Sequence, residues 1–445
     1  MSPTPPNTTQ SPITNRIKWI DGLRGIAAFV VAFNHYFCSE FPMPFRTYGT
    51  EPPEENQRLI QLPPIKFLWS MKAMVLLFMV ISGYSASRSL LETRDNRPEQ
   101  LTDRLRSSIC RRPFRLLLPV LAIAVPSQVA FYCDLFKGAL TEDFTAWVQP
   151  WTSPWHHVLY VCAYMADNLE IVQLQWNLGV NAQTWTIPLD LRGSYVVYFM
   201  IFVQAAWSPY VRVYSLGMTV LYFLRYGRWD IFCFLAGLGL AEINTIHDRT
   251  GDYRRFLGGS VSFVLRLALG VYLFCLSGEA DTYPADYGFL GSIQPTVWSR
   301  WGWVEARQTW NAIGAVLLFS VCMQSSRTQR FLSLRLFQYL GRLSFPIYLC
   351  HVLVYQVIRR PLRDHVWWLL EKREYPGNSK AAESFDSLLI ALVISGVLCG
   401  SVVFLVAELY AQFVDPQLVR LTRKIDIWVN QKEETCAKIE SWKNQ

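Results

Sequence analysis

The chain has 445 residues, of which 51% are hydrophobic, 15% aromatic and only 17% charged, with a formal net charge of +8. A soluble domain carries about a quarter charged residues, so this composition excludes an ordinary soluble enzyme. The 17 Trp, 21 Tyr and 27 Phe fit aromatic belts at two membrane interfaces, and the expected class is an all-α, polytopic membrane helix bundle.

Residues 1–17 are polar and rich in Pro and Thr, and read as a disordered N-terminus. They lack the charged-then-apolar order of a cleavable signal, so the first apolar segment is expected to act as an uncleaved anchor. About ten candidate spans follow, judged against the roughly 20 residues needed to cross the hydrocarbon. They lie near 20–38, 66–88, 114–132, 190–207, 209–224, 229–246, 259–277, 308–324, 343–358 and 386–409. Arg88 to Arg112, Arg327 to Arg342 and Arg420 to Lys424 cluster in three connections, which the positive-inside rule assigns to the cytoplasm. Both termini are then cytoplasmic, and the sequon at Asn7 stays unused. The connection 359–380 opposes this scheme, because it is assigned outside yet carries Arg359, Arg360, Arg363, Lys372, Arg373 and Lys380. The basic residues sit between apolar segments without an interleaved aromatic stripe, so they read as topology and lipid-surface signals, with no nucleic acid expected. The ten cysteines show no C-x-x-C spacing, so neither a metal site nor a disulfide framework is expected.

The first span, WIDGLRGIAAFVVAFNHYF, holds Arg24 and His35. Eleven helical positions are about three turns, so both side chains share one face, roughly 16 Å apart along the axis. Ionisable groups inside a span are functional candidates by default; the competing reading is an arginine that snorkels and a satisfied core histidine. A break at Gly22 or Gly25 would rotate Arg24 away from His35. In RRPFRLLLPV, Arg111, Arg112 and Arg115 surround Pro113, which suits the first turn of a helix. That placement predicts an anion site at the helix N-terminus, where free N–H groups and guanidinium forks converge; plain positive-inside anchoring is the alternative.

The stretch 133–189 is long and carries Trp147, Trp151, Trp155, Trp176 and Trp185, as a lid or as interfacial aromatics, with His156 and His157 read as loop residues. Asp190 and Arg192 mark the entrance to the fourth span from the outer side; the carboxylate either orients an imidazole or pairs with Arg192. His351 lies about two turns into the ninth span. Cys350 points roughly 100° away from it, which argues against a Cys–His pair. Residues 416–445 form a cytoplasmic tail with Leu421, Ile425, Trp428, Ile439 and Trp442 at near-helical spacing, as an amphipathic surface helix or a disordered tail.

Taken in order, these elements resemble the integral-membrane acyltransferase type 3 proteins, which include bacterial O-antigen and macrolide O-acyltransferases. The resemblance runs from about Lys18 to Leu421. It rests on Arg24 and His35 in DGLRGIAAFVVAFNHYF and on Ser82 and Gly83 in FMVISGYSASRSL. It extends through Arg111, Arg112, Arg115 and Pro119, then TWTIPLDLRGSY, FLAGLGLA, LGRLSFPIYLCH and FVDPQLV. Asp190 stands where the bacterial pattern has its first Glu, and Arg192-Gly193-Ser194 departs from it in the manner of a fungal-like branch.

The resemblance implies a transmembrane acyltransferase domain over 18–415 that moves an acyl group, acetyl above all, from acyl-CoA to a hydroxyl. Acyl-CoA is then a co-substrate, and no permanently bound cofactor is implied. Arg24, Arg111, Arg112 and Arg115 are expected to hold the donor's phosphates or pantetheine. His35, His351 and Asp190 are the expected catalytic group. His35, kept neutral by burial, deprotonates the acceptor for direct attack on the thioester. His351 binds the acceptor or polarises the carbonyl, and Asp190 orients a histidine or shapes the acceptor pocket. A covalent acyl-enzyme is disfavoured, because no Ser or Cys is evidently paired with either histidine. By family-level analogy the acceptor is a small secondary metabolite, such as a terpenoid or polyketide alcohol; carbohydrate or cell-wall glycan hydroxyls are the alternative. The rival class is a transporter of an organic anion or natural product, against which stands the lack of any inverted repeat. Endoplasmic reticulum and plasma membrane both fit.

Overall fold

The computed structural model describes residues 17–38, 40–136, 149–174, 179–251, 253–277, 283–299 and 303–443. No strand occurs among them. The principal helices are α1 (Lys18–Phe37), α2 (Met71–Asn96), α3 (Leu101–Tyr132), α4 (Pro154–Asp167), α5 (Thr186–Val203), α6 (Pro209–Arg225) and α7 (Trp229–Thr250). They continue with α8 (Ser260–Phe274), α9 (Trp303–Gln324), α10 (Arg335–Val354), α11 (Arg360–Glu371), α12 (Phe385–Leu409) and α13 (Asp415–Lys443). A helix is found at each of the ten apolar segments of the sequence. Among the described residues, six helical stretches are long and apolar enough to cross a membrane by length and composition. They contain α2, α3, α5, α7, α10 with α11, and α12 with α13. α8 is apolar but shorter, α6 is short and carries Arg212 and Arg225, and α1 is diluted by Asp21, Arg24, Asn34 and His35. The chain is a membrane protein with an all-α architecture.

Two close helix crossings set the frame. α1 packs along α10 and α2 along α7. Both crossings are built on glycine, which lets backbones approach where side chains would keep them apart. A Cβ on Gly25 would stand 2.4 Å from the Gly341 nitrogen, and one on Gly341 2.4 Å from the Asp21 carbonyl oxygen. On the other crossing, a Cβ on Gly237 would stand 2.4 Å from the Val80 carbonyl oxygen. α1 is unbroken through Gly22 and Gly25, so the geometry that sets Arg24 and His35 on one face is kept.

Several expectations change here. α3 begins at Leu101 and not near 114, running through Pro113, Pro119 and Pro126. Arg111, Arg112 and Arg115 therefore lie in mid-helix, and no free N–H groups surround them. Pro113 removes one backbone donor without ending the helix. His156 and His157 belong to α4 and not to a loop. His157 is a satisfied core histidine, bonded to Gln128 at 2.7 Å and Thr152 at 2.8 Å. Trp151 and Trp155 of the same stretch are exposed, whereas Trp147 and Trp176, like residues 1–16 with the Asn7 sequon, lie outside the described residues.

Two helices continue through π-helical turns. Tyr355–Arg359 joins α10 to α11, and Tyr410–Val414 joins α12 to α13. The tail is thus helical and continuous with the last apolar helix, and it packs against α3. Leu421, Ile427 and Trp428 are exposed along it. The basic connection at 359–380 is largely helix too, and several of its cations have partners. Arg363 bonds Glu40 at 2.6 Å, Arg359 lies 4.0 Å from the same carboxylate, and Arg373 pairs with Glu371 at 3.1 Å.

Candidate active site

His35 and His351, 316 residues apart in sequence, meet at the α1–α10 crossing. His35 Nδ1 and His351 Nε2 are 2.8 Å apart. The ring centroids are 5.0 Å apart and the planes differ by 8°. That separation is about two ring radii plus the bond, so the rings meet edge to edge rather than face to face. His351 is fully buried, and its Nδ1 lies 2.9 Å from the Ile347 carbonyl oxygen.

This chain of bonds fixes the tautomers. A carbonyl only accepts, so His351 Nδ1 carries a proton and donates it to Ile347. In a neutral imidazole the other nitrogen is then an acceptor, so His351 Nε2 accepts from His35 Nδ1–H. His35 Nε2 is left with its lone pair, and it has no hydrogen-bond partner among the described residues. His35 is the partly exposed member of the pair. The arrangement offers one open basic nitrogen backed by a second imidazole and a fixed carbonyl.

The arginines gather at the other end of the same face. Arg24 Nη2 donates to Ser85 Oγ at 3.4 Å, its Nη1 lies 3.7 Å from Asp21, and a third of its side chain is exposed. Arg112, Arg115 and Asp190 are within its electrostatic reach. Arg112 is already engaged: its Nη2 donates to Asp190 at 2.6 Å and approaches Ser82 Oγ at 3.3 Å. Ser82 in turn donates to Asp190 at 2.6 Å. Arg112 Nε is buried without a partner. Arg111 donates to the Ser107 carbonyl at 3.1 Å and lies 3.8 Å from Asp426 of α13. Arg115 is exposed and makes no hydrogen bond among the described residues, so it is the cation most open to an anion.

Asp190 orients no imidazole. Its oxygens serve Ser82 and Arg112, because α5 faces α2 and α3 at this level while the histidines sit between α1 and α10. Nor does it pair with Arg192, whose guanidinium forks onto Asp230 of α7, with Nε at 3.1 Å. The structure brings His35 and His351 together and sets Arg24, Arg112 and Asp190 near one another, with Arg111 and Arg115 on the same helix as Arg112; Asp190 takes Arg112 as its partner in place of an imidazole or Arg192. Ser85, inside FMVISGYSASRSL, and Asp230, outside the quoted motifs, join the site only in three dimensions. In sequence Arg359 stands out only as a topological anomaly.

The acceptor of an acyl group must be deprotonated as it attacks, and a polyphosphate donor must be held by cations. One face carries both kinds of group. Comparison with known proteins points the same way. Residues 17–406 match the family model described as an acyltransferase domain, of the type 3 kind. The chain is similar to the O-acetyltransferase PaAT-1 of Phomopsis amygdali, at 25% identity over 96% of this chain and 88% of that protein. It is also similar to the acyltransferase R4 of a Phoma species, at 24% identity over 78% and 83% of the two chains. The acyltransferase clz18 of Cochliobolus lunatus is 22% identical over 89% and 93%. No solved structure matches.

Proposed function

The chain belongs to the acyltransferase type 3 family and is an O-acyltransferase, and from that premise we propose that it transfers an acetyl group from acetyl-CoA to the hydroxyl of a small secondary metabolite. The observation that carries the catalytic part is the open Nε2 of His35 at the end of the His35–His351–Ile347 chain. In this reading His35 Nε2 takes the proton of the acceptor hydroxyl as its oxygen attacks the thioester carbonyl. The C–S bond breaks as the tetrahedral intermediate collapses, and the same nitrogen returns the proton to the leaving thiolate. His351 holds His35 in the basic tautomer rather than touching the acceptor. A base of this kind contributes roughly 10²–10⁴-fold.

Arg24 and Arg115 supply the charge for the donor's phosphates, with Arg111 at the rim. Arg112 serves them less directly, because Asp190 neutralises it. The roughly 16 Å of helix between Arg24 and His35 suits a donor whose phosphates and reacting carbon are separated by a pantetheine arm. Support for a small-molecule acceptor comes from the fungal origin of the similar acyltransferases, and terpenoid or polyketide alcohols are the class to try first. The membrane is that of the endoplasmic reticulum or the cell surface.

The test is thiol release from acetyl-CoA by purified protein in nanodiscs, with a panel of terpenoid and polyketide alcohols. His35→Ala is expected to abolish acceptor-dependent release while leaving acetyl-CoA binding intact. Wild-type turnover in that variant rules out the mechanism, and flux of an alcohol across the bilayer without ester formation favours a transporter.

A further inference from the structure

The π-helical turn that follows His351 has a use that the acyl-transfer scheme above leaves open. Three side chains of the α10–α11 helix reach the last turn of α1, where His35 sits. His351 bonds the His35 ring, and Tyr355 Oη donates to the Ala32 carbonyl at 3.0 Å. Arg359 Nη1 lies 3.2 Å from the Tyr36 carbonyl oxygen and 3.5 Å from that of His35. The final carbonyls of a helix have no partner within it, and a guanidinium is a suitable cap for them.

An unbroken α-helix would not align these three. At about 100° per residue, position 359 lies roughly 80° around the helix from position 351. A π turn bonds i to i+5 and turns less per residue, which takes back that drift. The π segment is Tyr355–Arg359, so it acts on the residues between His351 and Arg359 and brings all three onto the side facing α1. Arg359 is held in turn by Glu40, which lies just beyond α1, is buried, and is shared with Arg363. On the opposite side, Tyr36 Oη lies 3.2 Å from the Leu392 carbonyl oxygen and 2.5 Å from Ser395 Oγ of α12.

We infer that the π turn is a clamp that sets the backbone of His35, and that Arg359 and Tyr355 are positioning residues for acyl transfer. Neither touches the proposed open nitrogen. They fix the turn from which the imidazole projects, so that its Nδ1 meets His351 and its Nε2 faces the reacting hydroxyl. The inference rests on the reading of His35 as the base. A misplacement of about 1 Å at a catalytic group costs up to about 10²-fold in rate.

The experiment measures kcat and KM for acetyl-CoA separately, in nanodiscs, with whichever alcohol of the panel gives the fastest thiol release. Arg359→Met is expected to lower kcat by about 10–100-fold with KM for acetyl-CoA unchanged. Arg359→Lys keeps the charge and the donors to the two carbonyls, and is expected to restore most of the loss. Tyr355→Phe removes one hydroxyl and little packing, and is expected to lower kcat by less, again at constant KM. It decides the matter if Arg359→Met does not fold. Wild-type kcat in both Arg359→Met and Tyr355→Phe, or a parallel change of kcat and KM, overturns the clamp. His35→Ala measured alongside separates the two ideas. An inactive His35→Ala with fully active clamp variants rejects the clamp alone, whereas an active His35→Ala rejects the base and the clamp's catalytic meaning with it.

Discussion

Asp190 shows how a residue legible in sequence acquires a different role in three dimensions. Its position at the start of a span and its match to a family acid marked it as chemical, yet its oxygens are spent on Arg112 and Ser82. Such a pair is held against desolvation chiefly by its mutual attraction. Breaking one side of a buried pair costs up to about 3–5 kcal/mol, because the surviving charge is stranded. Both side chains here are about a fifth exposed, so the loss falls below that figure. Asp190→Ala is therefore expected to lower the thermal midpoint, and adding Arg112→Leu to recover part of it. Melting curves of the single and double variants in nanodiscs check this; a double variant less stable than the single one contradicts it. His35 and His351 were each visible in sequence as intramembrane histidines, but their pairing was not, since 316 residues separate them and no local pattern encodes a crossing.

The crossing is what makes the site, and its legible trace is glycine. Gly341 was visible only as part of a family motif, and Gly25 only as a possible break in the first span. Their physical reason is the approach of α1 to α10, where each stands against the other helix's backbone. A leucine at Gly25 is expected to push the helices apart and so lengthen the His35–His351 bond as well as cost roughly 1–3 kcal/mol of overpacking. Gly25→Leu should then lose turnover beyond what its melting point alone explains. Comparing its activity with that of Gly237→Leu, which opens the α2–α7 crossing instead, checks the point: equal losses per degree of destabilisation argue against a special role for the first crossing. Helix starts were less legible than helix centres. α3 begins thirteen residues before its apolar run because Leu101 and Leu105 are buried in the core ahead of the arginines, so the basic stretch is helical although it is not hydrophobic. The π turns were not legible at all, since they are set by what the side chains meet in neighbouring helices.

Across the whole molecule, hydropathy located the ten apolar helices and their order but neither α4 nor α11, while the connection at 359–380 runs against the charge count. Two of its cations are engaged within the fold: Arg359 and Arg363 converge on Glu40, which the sequence places more than three hundred residues away. The anomaly was itself the signal that these arginines had structural work. One consequence of the His351–Ile347 bond reaches the scale of the membrane. A carbonyl oxygen cannot carry a proton onward, so the imidazole pair is closed at its inner end and open only at His35. It stores a proton and cannot conduct one. In the proposed transfer the hydrogen removed from the alcohol leaves as the thiol's, so each turnover is electrically silent across the bilayer. Turnover in sealed, energised vesicles should therefore be indifferent to a protonophore. A rate that falls when the proton gradient is collapsed would mean that the chain of bonds has a second exit.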